Sequence, residues 1–116
     1  MDDIAAATAD SAPHLNPSDD DASLTANALK AMAHPIRWKI LCVLGNEELN
    51  VREIMDKVGS TQSNVSQHIE VLRSKHILMS RKDGNKVYCR IANPNLQNLI
   101  DKMRDVLCSA NLDEKF

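Results

Sequence analysis

Two sets of side chains in this chain are spaced for chemistry. Gln62, Ser63, Ser66 and Gln67 crowd amides and hydroxyls into the opening turns of a helical stretch, and Lys82, Lys86 and Arg90 follow around an Asp83-Gly84-Asn85 turn. Amides pair bidentately with adenine, hydroxyls serve most base edges, and lysine or arginine neutralises phosphate. Together they read as a surface for double-stranded DNA, in which Ser66 suits a phosphate as well as a base. The second set is the thiols Cys42, Cys89 and Cys108, which stand far apart with no CxxC or zinc-knuckle spacing. An odd count, in a chain whose start lacks the basic and apolar stretches of a signal peptide, argues against a disulfide framework, so reduced thiols are expected. No nucleophile and base pair, glycine-rich phosphate loop or metal triad appears, so catalysis has no support and neither a metal nor another cofactor is expected.

The elements that must position these groups follow from caps and periodicity. In T61-Q-S-N-V-S-Q-H-I-E-V-L-R-S-K75, Val65, Ile69 and Leu72 fall on one face, while Ser63, Ser66, Gln67, Glu70 and Ser74 point away. Outward positions near the start of such a helix are those a recognition helix presents to bases. A merely solvated polar face is the bland alternative, and any one cation of the hairpin serves equally as a solubilising charge. His68 lies at the flank of the apolar stripe, where a histidine packs its ring and keeps one nitrogen wet. Two β-prone runs over 77–91 form a wing around the turn, with Cys89 alternating with Val87 and Ile91 on its core-facing side. Upstream, a first helix spans 22–33 behind an Asp19–Asp21 cap region, and a second starts at Pro35 and ends near Gly45. A third is opened by an Asn50/Glu53 capping box and closed by Gly59. Asn93 and Pro94 cap a last helix over 95–110, with Leu96, Leu99, Ile100, Met103, Val106, Leu107 and Ala110 in an apolar seam.

The fold class is therefore mainly α with a small β-hairpin, a winged helix-turn-helix of four helices, two strands and a final helix. Residues 1–20 form a disordered acidic tail, 21–110 the DNA-binding and dimerisation domain, and 111–116 a C-terminal tail. With 116 residues one modest core is available, and a small helical domain gains by burying its seam against a second copy, so a homodimer is expected. No apolar run is long enough to span a bilayer, and a cytoplasmic location is expected. The formal charge of −2 hides a dipole: residues 1–23 hold six acids and no Lys or Arg, leaving +4 on the remainder, and residues 61–90 alone carry +4.

The segments A33-H-P-I-R-W-K-I-L41, Q62-S-N-V-S-Q-H-I-E-V-L-R73 and D83-G-N-K-V-Y88, in that order, resemble the ArsR/SmtB family of bacterial winged-helix repressors. The resemblance covers about residues 22–110. It implies a homodimer that binds an operator inverted repeat and leaves it when an inducer is sensed. His76 replaces the glycine usual at the end of the recognition helix, which predicts a small stability cost and the same fold. The family's arsenic pattern places cysteines where this chain has Asn50-Val51-Arg52, and its zinc pattern needs histidines in the last helix, where 95–108 has none. Cys42 and Cys108 instead look like the cysteines of the persulfide-sensing branch. There the two thiols of one subunit are joined through sulfur when reactive sulfur species rise. On helical wheels Cys42 lies with Trp38, opposite an Ile36, Ile40 and Val43 stripe, and Cys108 lies with Gln97, Asp101 and Arg104. Both are thus off their helices' apolar faces, although cysteine prefers burial. A small buried hydrophobe and a frayed terminal residue remain the bland alternatives for them. A sensor of thiophilic metal or arsenic using these thiols, and an interaction module with nonspecific DNA binding, are the competing functions.

Overall fold

The Ser18 hydroxyl accepts the Asp21 N–H at 3.1 Å and caps α1 (Asp19–Met32). The computed structural model describes residues 17–107. The helix starts three residues before the expected Ala22, so Asp19 and Asp20, read as tail, belong to its first turn. Their charge there complements the helix dipole. His34 caps α2 (Pro35–Leu44), its Nδ1 accepting the Ile36 N–H at 3.1 Å, with Pro35 in the first turn where its missing N–H costs nothing. The inward face of α2 is Ile40, Leu41 and Leu44, with Ile36 and Val43 only partly covered, so the core side is rotated from the expected stripe.

Leu49–Asn50 form a short strand, β1, that was not expected. Two residues carry no periodicity, and Asn50 is at the same time the cap of α3 (Val51–Val58). The capping box is present: the Glu53 N–H donates to Asn50 Oδ1 and the Asn50 N–H to Glu53 Oε1, both at 2.9 Å. Gly59 closes α3 in the left-handed region, and the Lys39 ammonium donates to the Val58 carbonyl at 3.1 Å, pinning that end to α2.

Thr61 caps α4 (Gln62–Ser74), whose Val65, Ile69 and Leu72 are buried as their spacing predicts. Its end is a Schellman motif: the His76 N–H donates to the Arg73 carbonyl and the Ile77 N–H to the Leu72 carbonyl, each at 3.0 Å, with His76 at φ 61°. Strands β2 (Leu78–Asp83) and β3 (Lys86–Ile91) form the wing, joined by Gly84-Asn85; Gly84 has φ 67°. Positive φ at the first loop residue alone is the pattern of a type II′ turn. The sheet order is β1-β3-β2, antiparallel throughout, with Cys89 opposite both Leu49 and Ser80. The last helix, α5 (Pro94–Leu107), is started by Asn93, whose Oδ1 accepts the Leu96 N–H at 2.7 Å.

The core fills the space between α2, α3, α4 and the sheet, and Ile100 brings α5 onto it. Leu24 and Leu29 of α1 and Leu99, Val106 and Leu107 of α5 remain at least half exposed. Among the described residues no helix is long and apolar enough to cross a membrane. Cys108, Ala110 and the expected 111–116 tail lie outside the described residues, as do residues 1–16.

Candidate nucleic-acid interface

Helix α4 turns its apolar stripe into the core, which leaves Gln62, Ser63, Ser66 and Gln67 exposed on the opposite side. Glu70, the one acid on that face, is gripped by Arg73 through Nε at 3.0 Å and Nη2 at 2.6 Å, so its charge is masked toward an anion. An open groove runs between the start of α3, the start of α4 and the wing tip, and it brings Gln62, Ser66 and Lys86 together. Arg52 and Asn85 line the same groove and were not singled out in the sequence. The available signal for Arg52 was its place in the first turn of a capped helix directly ahead of the recognition helix.

The wing cations divide. Lys82 and Lys86 are exposed at the tip, Lys82 opposite Val87 and Lys86 opposite Asp83. Arg81 is held by Glu48, which also keeps the Glu48 carboxyl below the usual carboxylate range, first through the hydrogen bonds and then through charge. Arg90 sits at the base of the wing. Its Nη1 donates to the Ile91 and Ala92 carbonyls at 3.3 and 3.4 Å, and it lines a separate hollow with Glu47, Glu48 and Gln97. The fold therefore does not bring Arg90 into the groove that holds Gln62 and Lys86.

His68 is half-buried on the flank of α4, as expected of it. Arg37 Nη1 approaches its Nδ1 at 3.2 Å, and its ring lies 4.3 Å from that of His34. Burial, then the charges of His34 and Arg37, lower its pKa. These partners lie more than thirty residues away in sequence, which is why spacing does not reveal them.

The thiols occupy different settings. Cys89 is fully buried on the sheet's core side, as its alternation predicts, and burial, helped by Glu48, pushes the thiol up to about 11. Cys42 is half-buried on α2. Trp38, one turn earlier on that helix, shares an apolar hollow of about 430 Å³ with Leu29 and Met32 of α1 and with Met103 and Leu107 of α5. On α5, Gln97, Asp101 and Arg104 are half-covered whereas Leu99, Val106 and Leu107 are exposed. The polar side of that helix is thus turned partly inward. Among the described residues no three His, Cys, Asp or Glu side chains converge as a metal site.

Comparison with known proteins agrees with this geometry. Residues 34–78 match the family model described as bacterial regulatory protein, arsR family. The chain is 28% identical over 102 residues to the biofilm growth-associated repressor of Xylella fastidiosa, covering 86% of this chain and 90% of that protein. It is 34% identical over 83 residues to the transcriptional activator HlyU of Vibrio cholerae, covering 72% of this chain and 77% of the relative. The solved HlyU structure superposes with a TM-score of 0.74 at 28% identity, covering 79% of this chain and all of that one. A homodimeric winged helix-turn-helix DNA-binding domain from Mycobacterium bovis superposes with a TM-score of 0.70 at 27% identity, covering 80% of this chain and 89% of that one.

Proposed function

Because this chain belongs to the arsR family of bacterial regulatory proteins, DNA-binding regulators of transcription rather than enzymes, we propose that it is a homodimeric repressor whose thiols sense reactive sulfur. In this reading it binds an operator inverted repeat and releases it when Cys42 and Cys108 of one subunit are crosslinked. The groove that joins Gln62 and Ser66 of α4 to Lys86 of the wing carries the DNA half. It sets base-reading groups beside a phosphate-binding charge, as a helix laid in the major groove with a flanking wing requires. Gln62, Ser63 and Gln67 read bases, Ser66 reads a base or holds a phosphate, and Lys82 and Lys86 hold phosphates. Arg90 joins them only if the DNA reaches the base of the wing.

Large apolar side chains left exposed on α1 and α5 support dimerisation through those helices, since covering them against a second copy removes apolar surface from water. The M. bovis neighbour is itself homodimeric. Two-fold pairing puts two recognition helices on successive turns of the duplex, hence an inverted repeat.

The hollow shared by Trp38 with Met103 and Leu107 supports the thiol half. In sequence, Cys42 follows Trp38 by one helical turn and Cys108 follows Leu107 directly, so the meeting of Trp38 with Leu107 in this hollow is what favours the pairing. Crosslinking converts two S–H groups into one Sγ–Sγ bond, or a bridge with additional sulfur, and passes two electrons and two protons to the oxidant. A hundredfold loss of occupancy needs the bridged form to favour the DNA-incompetent arrangement by only about 2.7 kcal/mol.

The test is intact mass and operator affinity before and after treatment with a persulfide, with peroxide and with thiophilic metal. A bridge appears as a loss of about 2 Da for a disulfide, or a gain of about 30 Da for one inserted sulfur, with operator release in parallel. A metal adduct without a bridge would replace sulfur sensing by metal sensing. A footprint with no defined site would replace the repressor by a nonspecific DNA binder.

A further inference from the structure

Three side chains join the elbow between α1 and α2 to the flank of the recognition helix, and DNA reading does not use them. His34 caps α2 through Nδ1, which accepts the Ile36 N–H at 3.1 Å. Its ring lies 4.3 Å from that of His68 on α4, tilted by 35°. Arg37, one turn along α2, donates from Nε to the Ala31 carbonyl of α1 at 2.5 Å and from Nη1 to His68 Nδ1 at 3.2 Å. One guanidinium thus ties α1, α2 and α4 together. His34 also lines the apolar hollow that Trp38 shares with Met103 and Leu107, so the cluster connects that hollow to the recognition helix.

The chemistry requires one protonation state. Arg37 has only N–H donors, so His68 Nδ1 accepts only as the lone pair of a neutral ring carrying its proton on Nε2. A proton on Nδ1 removes that acceptor and sets an imidazolium against a guanidinium and a second histidine. The charged groups acting on His68 are His34 and Arg37, both from α2; α1 contributes the neutral Ala31 carbonyl. Helix α3 and strand β2 also pack on α4 and add no charge that perturbs the ring. Among the described residues no carboxylate acts on the ring to compensate a proton.

We propose that His34, Arg37 and neutral His68 form a clasp that positions the recognition helix, and that protonation of His68 opens it and weakens operator binding. The inference rests on the DNA-binding reading above. Its sign separates it from general electrostatics, because protonating histidines adds positive charge and by itself raises affinity for any DNA at low pH. The clasp predicts that specific binding falls while nonspecific binding holds or rises.

The experiment takes the full chain, selects an operator from a random duplex pool, and measures affinity for it and for a random duplex from pH 8 to pH 5.5 at fixed salt. A fall of several-fold in the operator-to-random ratio is expected by pH 5.5, because operator binding favours the neutral ring and so lowers its titration midpoint. His68→Asn puts an amide oxygen near the place of Nδ1 and so keeps an acceptor for Arg37, but it does not titrate. It is expected to bind within about threefold of the parent at pH 8 and to lose the pH dependence, because an oxygen replaces the lone pair. A flat or rising ratio in the parent, or an unchanged pH slope in the variant, overturns the proposal. Should the variant fail to fold, nitrogen-15 spectra of the parent's imidazoles decide: the clasp requires the Nε2–H tautomer at His68 and a lower titration midpoint on operator than free. A proton on Nδ1, or equal midpoints, overturns it. Failure to select any operator sinks the DNA-binding reading instead, and the tautomer in the free protein still tests the clasp.

Discussion

Arg81 of β2 grips both carboxylate oxygens of Glu48, Nη2 at 2.8 Å from Oε1 and Nε at 2.9 Å from Oε2, and its guanidinium lies 4.8 Å over the Tyr88 ring. The pair fastens the wing to the loop between α2 and β1, whose Leu49 and Asn50 are themselves zipped to Cys89 and Tyr88 of β3. It also removes Arg81 from the charge available to DNA. The basic tip legible in the sequence is thereby narrowed to Lys82 and Lys86.

Glu48→Gln should release that charge. Because the pair is exposed, the fold should hold and the melting temperature should barely move. Random-duplex affinity should rise at low salt, and the slope of log K against log salt should steepen by about 0.9, the contribution of one more phosphate contact. An unchanged slope would mean that Arg81 stays away from DNA even when freed.

Base readers and phosphate holders should separate under alanine substitution. Gln62→Ala or Gln67→Ala should lose roughly 1 to 3 kcal/mol at the operator and little on random DNA. Lys82→Ala or Lys86→Ala should weaken both and flatten the salt dependence. Equal losses on both DNAs for the glutamine variants would remove them from base reading.

Cap residues and long apolar periods were readable from the chain, because each acts within one turn: the Asn50/Glu53 box, Gly59, Asn93 with Pro94, and the Val65, Ile69 and Leu72 stripe. Features that depend on distant partners were not. Strand β1 is two residues long and exists only because Leu49 and Asn50 meet β3. The Glu48–Arg81 and Arg37–His68 contacts span 33 and 31 residues, and no local pattern announces them. Arg90 is near the tip in sequence but not in space. An extended strand rises about 3.3 Å per residue, so four residues carry it well down the wing from Lys86.

His76→Gly should stabilise the protein by about 1 kcal/mol, since a side chain in the left-handed region is penalised by roughly that amount. The Schellman bonds to Leu72 and Arg73 carbonyls stay intact, because both are made by backbone N–H groups. A melting temperature raised by several degrees with unchanged operator affinity is expected. A lower melting temperature would show that the His76 ring contributes more than its backbone costs.

The thiols should react in a fixed order. With its titration pushed up to about 11 by burial between β1 and β2, Cys89 is ionised at neutral pH in only about one molecule in ten thousand, and its sulfur is fully covered. Alkylation of the folded protein should therefore spare Cys89 and modify it only in denaturant, whereas half-buried Cys42 should be labelled under native conditions. Cys89→Ser would bury a hydroxyl at a fully covered site and should lower stability by roughly 1 to 3 kcal/mol unless the hydroxyl finds a partner. It should nevertheless leave the response to persulfide intact. Cys42→Ser and Cys108→Ser should each repress normally and ignore persulfide, because one remaining thiol cannot close a bridge within the subunit. The measurement is operator affinity with and without persulfide for the three serine variants. Release of DNA by the Cys42 variant, or loss of response in the Cys89 variant, would move the sensing chemistry away from the Cys42 and Cys108 pair.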